Sequence, residues 1–132
     1  MKDHVVQSFL IKLVNNNCPE VRGLDEGPRL ETRVNLTVVV LVIPLEKKRP
    51  AIERVFAAVS KEFNATGVSL VLHEPRAVDE VILGFRFEGA MKFARAEAKH
   101  LNPMGAGFYQ LGLKITEMVH VAEYPALGSV SI

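Results

Sequence analysis

Cysteine is almost missing from the 132 residues. Cys18 stands alone, so no disulfide can close within the chain and no Cys-rich metal cage can form. A reducing compartment fits, and the expectation is a soluble cytoplasmic protein. Charge of one sign is missing too. Lys and Arg number 16 against 15 Asp and Glu, for a net charge of +1, so the molecule as a whole projects no strong field toward nucleic acid or an anionic membrane. Long hydrophobic runs are absent. The longest, Leu36 to Leu45, is half of the roughly 20 residues that a membrane-spanning helix needs. The start, with Lys2, Asp3 and His4, lacks a clean basic region and a small-residue cleavage site, so no secretion signal is expected. Low-complexity tracts and internal repeats are also lacking.

What is present is apolar material, 48% of the residues, enough for one core without staples. The length suits one domain over 1–132, with a core at 34–122, an N-terminal extension at 1–33 and a tail at 124–132. In residues 4–14, Val5, Val6, Phe9, Leu10 and Leu13 fit one helical face, although the composition also suits a strand; the reading leans to helix. Asn15 to Asn17, Cys18 and Pro19 end that element, and a Gly- and Pro-rich surface loop is expected up to Leu30.

Arg33 to Ile43 is β-branched and reads as a strand covered on both faces, stopped by Pro44. After Glu46, Lys47, Lys48, Arg49 and Pro50, the spacing of Ile52, Val55, Phe56, Val59 and Phe63 predicts an amphipathic helix. Val68 to His73 is a short strand. Val81, Leu83, Phe85 and Phe87 alternate with Glu80, Ile82, Gly84 and Arg86, as in a strand with one core face. Met91, Ala94, Ala98 and Leu101 predict a second helix, with Lys92, Arg95, Glu97, Lys99 and His100 outside. Tyr109 to Ile115 begins a last strand, with a bulge at Thr116 and Glu117. The order strand, helix, strand, strand, helix, strand implies an α+β, ferredoxin-like βαββαβ sandwich with two helices on one face of an antiparallel sheet.

No motif carries chemistry. His4, His73, His100 and His120 lack zinc spacing, so no metal and no cofactor is expected. Cys18 and Ser60 have no recognisable partner base, and Asp79 and Glu80 point to opposite faces of a strand. Gly105-Ala106-Gly107 precedes a strand, the wrong context for a phosphate cradle. Three functions stay open. The leading one is a homo-oligomeric binding or interaction domain, because Ile82 leaves a sheet face too apolar to be solvated; the alternative is that a terminal segment covers that face. The second is a nucleic-acid binder using Lys47, Lys48, Arg49, Arg54, Lys61 and Arg86, weakened by interleaved glutamates and by the want of exposed aromatics on the strands. The third is a small enzyme or metabolite sensor with a site between subunits, using His73, Arg76, Arg86 or His120.

Overall fold

The β-branched run expected as one strand over Arg33 to Ile43 is interrupted at 36–38; its second part, from Val39, is a central strand whose neighbours on both sides decide the architecture. The computed structural model describes residues 2–17 and 34–132. In chain order these are helix α1 (Lys2–Asn17) and strands β1 (Val34–Asn35), β2 (Val39–Glu46), β3 (Arg49–Pro50), β4 (Phe56–Phe63), β5 (Gly67–Leu72), β6 (Glu80–Phe87), β7 (Ala90–Gly105) and β8 (Phe108–Val119). Short 3-10 turns follow at Val121–Glu123 and Pro125–Ser129. Strand β2 pairs antiparallel with β4 through Val39–Val42 and with β6 through Leu41–Pro44. The ring β2-β4-β5-β8-β7-β6 therefore closes on itself. The fold is a six-stranded antiparallel β-barrel, and the ferredoxin-like sandwich expected from element order is wrong.

Both expected helices of the core are strands. Residues 52–54 make one 3-10 turn, and Phe56 to Phe63 is β4. Met91 to Leu101 lies within the sixteen-residue β7. The physical reason is the barrel's narrow interior, where every second residue must point inward and fit. Ala94 and Ala96 are buried there, beside Leu83, Phe85 and Ile115. Alanine has the highest helix propensity, but its small side chain is what the crowded side of this wall requires, and packing overrides propensity. In β4 a register shift between Ser60 and Glu62 brings Phe63 inward. Ser60, expected on a solvated helix face, is 1% exposed. Its hydroxyl accepts from the Val38 amide at 2.9 Å and donates to the Leu36 carbonyl, which joins the chain across the gap between β1 and β2.

The N-terminal segment is the one α-helix among the described residues. Val6, Phe9, Leu10, Leu13 and Val14 form its buried face and belong to the same cluster as the barrel interior. Phe9 meets Phe85 and Phe87 edge-on at 5.5 and 5.8 Å between ring centroids, so α1 lies across the mouth where β6 ends. Pro44 does not stop β2. It pairs with Val81, and the strand continues to Glu46. The expected bulge near Thr116 is present as a shift between the Arg95–Glu117 and Ala96–Ile115 pairs, and the Thr116 hydroxyl donates to the Arg95 carbonyl at 3.2 Å. Cys18 and the expected loop up to Leu30 lie outside the described residues.

Ile82, expected on a wet face, is fully buried. Leu127 and Val130 of the tail pack with Leu41, Ile43, Ile82, Phe93 and Val119 as a second core on the outside of the barrel. Tyr124 fixes this cover by accepting a 2.6 Å hydrogen bond from Arg95, whose guanidinium also pairs with Glu117 at 3.3 Å. The tail is neither loose nor an edge strand. Of the alternatives for that face, intrachain cover holds.

Two stability outcomes follow. Leu127→Ala should lower unfolding free energy by about 2–5 kcal/mol in urea melts, the range for a buried leucine; a loss under about 1 kcal/mol would mean that the tail lies outside the cooperative unit. The β2–β3 turn places Lys47 and Lys48 at φ of 53° and 64°, where Asn-Gly is the favoured pair. Replacing both lysines by Asn-Gly should stabilise the protein by about 1 kcal/mol, and a lower melting temperature would contradict this reading of the turn.

Candidate functional site

With the barrel lumen filled by apolar side chains, recognition falls to the outer wall. Strand pairing sets Glu62, Ser69, Gly112 and His100 in one row across β4, β5, β8 and β7. Two of these residues have almost no bulk, so the row dips into a shelf of about 200 Å³. Asn64, Lys99 and Gln110 complete the polar rim. The turn at the end of β4 is fixed by Asn64, whose amide bonds the Gly67 carbonyl at 3.0 Å and whose side-chain oxygen accepts from the Thr66 amide at 3.2 Å.

The His100 ring lies over Gly112. A Cβ at 112 would stand 2.2 Å from the imidazole Cε1, so a larger residue there requires the exposed ring to turn away. The ring remains exposed on its outer side and lies 3.5 Å from the Asn102 amide nitrogen. Ser69 is 7% exposed, and its hydroxyl has no hydrogen-bond partner among the described residues. Burying a hydroxyl unpaired costs about 1–3 kcal/mol, and with its oxygen shut off from solvent the side chain has to turn outward to meet a ligand. The surrounding cations are Lys61, which donates to Gln110 at 3.5 Å, Lys99, paired with Glu97 at 3.1 Å, and the exposed Lys114. Glu62 and Glu97 offset part of that charge.

The sequence pattern marks none of this row as a site: it puts His100 on the outside of a helix and Gly112 on a strand face. The available signal is the pair of small outward residues on the neighbouring strands β5 and β8, legible only once the register is known.

The candidate residues converge only in part: Arg54 and Arg76 line one concavity with Phe56 and Glu74, while Lys61, Arg86 and His120 lie elsewhere on the barrel. Lys47, Lys48 and Arg49 sit at the β2–β3 turn, and Arg54 pairs with Glu46. Lys61 projects beside Gln110, and Arg86 donates to the Ile132 carbonyl at 3.2 Å. By strand register Lys61 and Arg86 lie about eight to ten residues from Lys47, roughly 25–30 Å at about 3.3 Å per residue. A continuous basic stripe does not form. His73 ends β5 beside Ala57 and Phe108, whereas His120 follows β8 at the opposite end. Arg76 is held by Glu74 at 2.8 Å and lies over the Phe56 ring at 4.1 Å.

A different sector of the wall is apolar. Val39, Val59 and Val71 are aligned across β2, β4 and β5, and Ala57 and Phe108 extend the stripe. Val39 and Phe108 are 44% and 46% exposed. No described helix is long and apolar enough to cross a membrane.

No protein-family model matches the chain, and no curated protein matches it in sequence. Among solved structures, that of the Bacillus subtilis inhibitor of motility MotI/DgrA is similar over 72% of this chain and 45% of that one, at a TM-score of 0.52 and 16% identity. The chain thus spans less than half the length of that neighbour. At such an identity the likeness is one of fold, and it places the barrel described here on a backbone that a motility inhibitor also uses.

Proposed function

We propose that this chain is a non-catalytic regulatory binding domain that holds a small, ring-bearing anion of the nucleotide class on its outer shelf. The observation that carries the reading is the buried Ser69 hydroxyl on the shelf floor, without a hydrogen-bond partner among the described residues, beside an exposed imidazole that can stack on a ring. Lys61, Lys99 and Lys114 supply positive charge for a phosphate. The shelf is too small to enclose a whole nucleotide, so the ligand lies along the wall with one end seated. This refines the metabolite-sensor alternative and moves its site from His73, Arg76 and His120 to Ser69 and His100. The structural neighbour's role as an inhibitor of motility agrees with regulation by binding.

A second reading, self-association, has its own observation. The Val39–Val59–Val71 stripe with Phe108 is open to solvent, unlike Ile82, and two such walls can pair about a two-fold axis.

Thermal shift and calorimetry with the four ribonucleoside monophosphates, inorganic phosphate and succinate should find a nucleotide that stabilises the fold more than phosphate does. Ser69→Val and His100→Ala should each weaken that binding about tenfold, the worth of a hydrogen bond to a charged group or of a stacked ring. No response to any nucleotide, or binding that ignores both substitutions, would remove the proposal. Light scattering coupled to size exclusion addresses the second reading: a dimer that Val59→Glu turns into a monomer is expected, and a monomer of the unaltered protein at high concentration would end it.

A further inference from the structure

A second concavity lies where α1 crosses the ends of the barrel strands. It encloses about 780 Å³, within the range of about 300–1,000 Å³ for small-molecule sites. Its floor is apolar, made by Phe9, Phe87, Met91 and Met118. Val5 of α1 and Val121 of the C-terminal turn also line it, and both are left exposed, at 53% and 40%. Its polar side chains are His4, Ser8, Lys12, Lys92 and His120, with no carboxylate among the described residues that line it. The nearby Glu123 is engaged, accepting the His120 amide at 2.8 Å. An apolar trough with Lys12 and Lys92 at its rim complements a molecule with an apolar body and one anionic head.

We propose that this groove binds a long-chain carboxylic acid, its chain on Met91 and Met118 and its carboxylate between Lys12 and Lys92. Two methionines suit a chain of no fixed shape, because the unbranched thioether adapts to its neighbour. The two lysines carry their charge at the rim, where apolar stems line the wall and the ammonium groups stay wet. This site is separate from the shelf. Met91 and His100 are nine residues apart on β7, roughly 30 Å at about 3.3 Å per residue.

The test uses the whole chain with its methionine methyl groups labelled for NMR. Met104 lies at the far β7–β8 tip and serves as an internal control. Laurate below its micelle concentration should shift Met91 and Met118 saturably and leave Met104 in place, with dodecanol binding more weakly. Lys12→Ala and Lys92→Ala should each weaken laurate about threefold, and the pair about tenfold, as partly exposed charges do. Val121→Glu, a change at an exposed site, should abolish the shifts without lowering the melting temperature. Parallel movement of Met104, the absence of a saturable shift, or equal binding of dodecyltrimethylammonium would overturn the proposal. An apolar helical peptide that displaces nothing but itself produces the same Met91 and Met118 shifts would assign the groove to a protein partner and likewise overturn it.

Discussion

Closure of the sheet depends on β2 pairing with two neighbours at once. Residues 39–42 pair with β4 and residues 41–44 with β6, so Leu41 and Val42 carry partners on both edges. That double pairing removes the open edges that an antiparallel sheet otherwise exposes. It also confines the interior to what six strands can enclose. Phe63, Phe85 and Ile115 occupy that space fully buried, and Ala94 and Ala96 are fully buried in the same cluster. The helix α1 adds Phe9 and Leu10 to the same cluster, so the mouth is sealed by apolar contact.

A filled barrel has no lumen in which to bind, and its function is written on its outside. The outer wall divides by chemistry. One sector is covered by Leu127 and Val130, one is a polar shelf built on Ser69 and Gly112, one is the apolar stripe of Val39, Val59 and Val71, and the groove beside α1 is apolar with a cationic rim. The tail's cover is held at Arg95, which meets Tyr124 and Glu117 together. The side chains that close the second core thus come from β7, β8 and the tail at once, and the C-terminal segment is as much a part of the fold as a strand.

Strand β6 could be read from the sequence because its inward residues Val81, Leu83 and Phe85 alternate without interruption. The bulge at Thr116 was legible because the alternation that starts at Tyr109 breaks there. Helix α1 carried a usable 3.6-residue period. The two false helices fail for different reasons. In 52–63 the apolar residues satisfy both a helical period and, once a bulge is allowed at Lys61 and Glu62, a strand period. In 91–101 the Ala, Lys, Arg and Glu content favours a helix locally, and the contrary signal, alanine at 94, 96 and 98, looks like mere absence of bulk until the facing Phe85 is known. Ile82 misled in another way. Its period placed it on an outer face, and no local rule could say that residues 127–130, some 45 positions later, would cover it.

The candidate sites were illegible for the same reason at a longer range. Lys47 to Arg49 stand out in sequence because they are consecutive, yet consecutive residues at a turn spread their charges, and strand register carries Lys61 and Arg86 to the other end of the barrel. Ser69, Gly112 and His100 are separated by 43 and 12 positions in the chain and become neighbours only through the β5–β8 and β8–β7 ladders. Near-zero net charge is then no argument against an anionic ligand. What a ligand meets is the local field, and across this wall the balance of 16 cations and 15 anions is struck between sectors as well as within them. The groove beside α1 makes the point most sharply, since its four basic side chains meet no carboxylate among the described residues that line it.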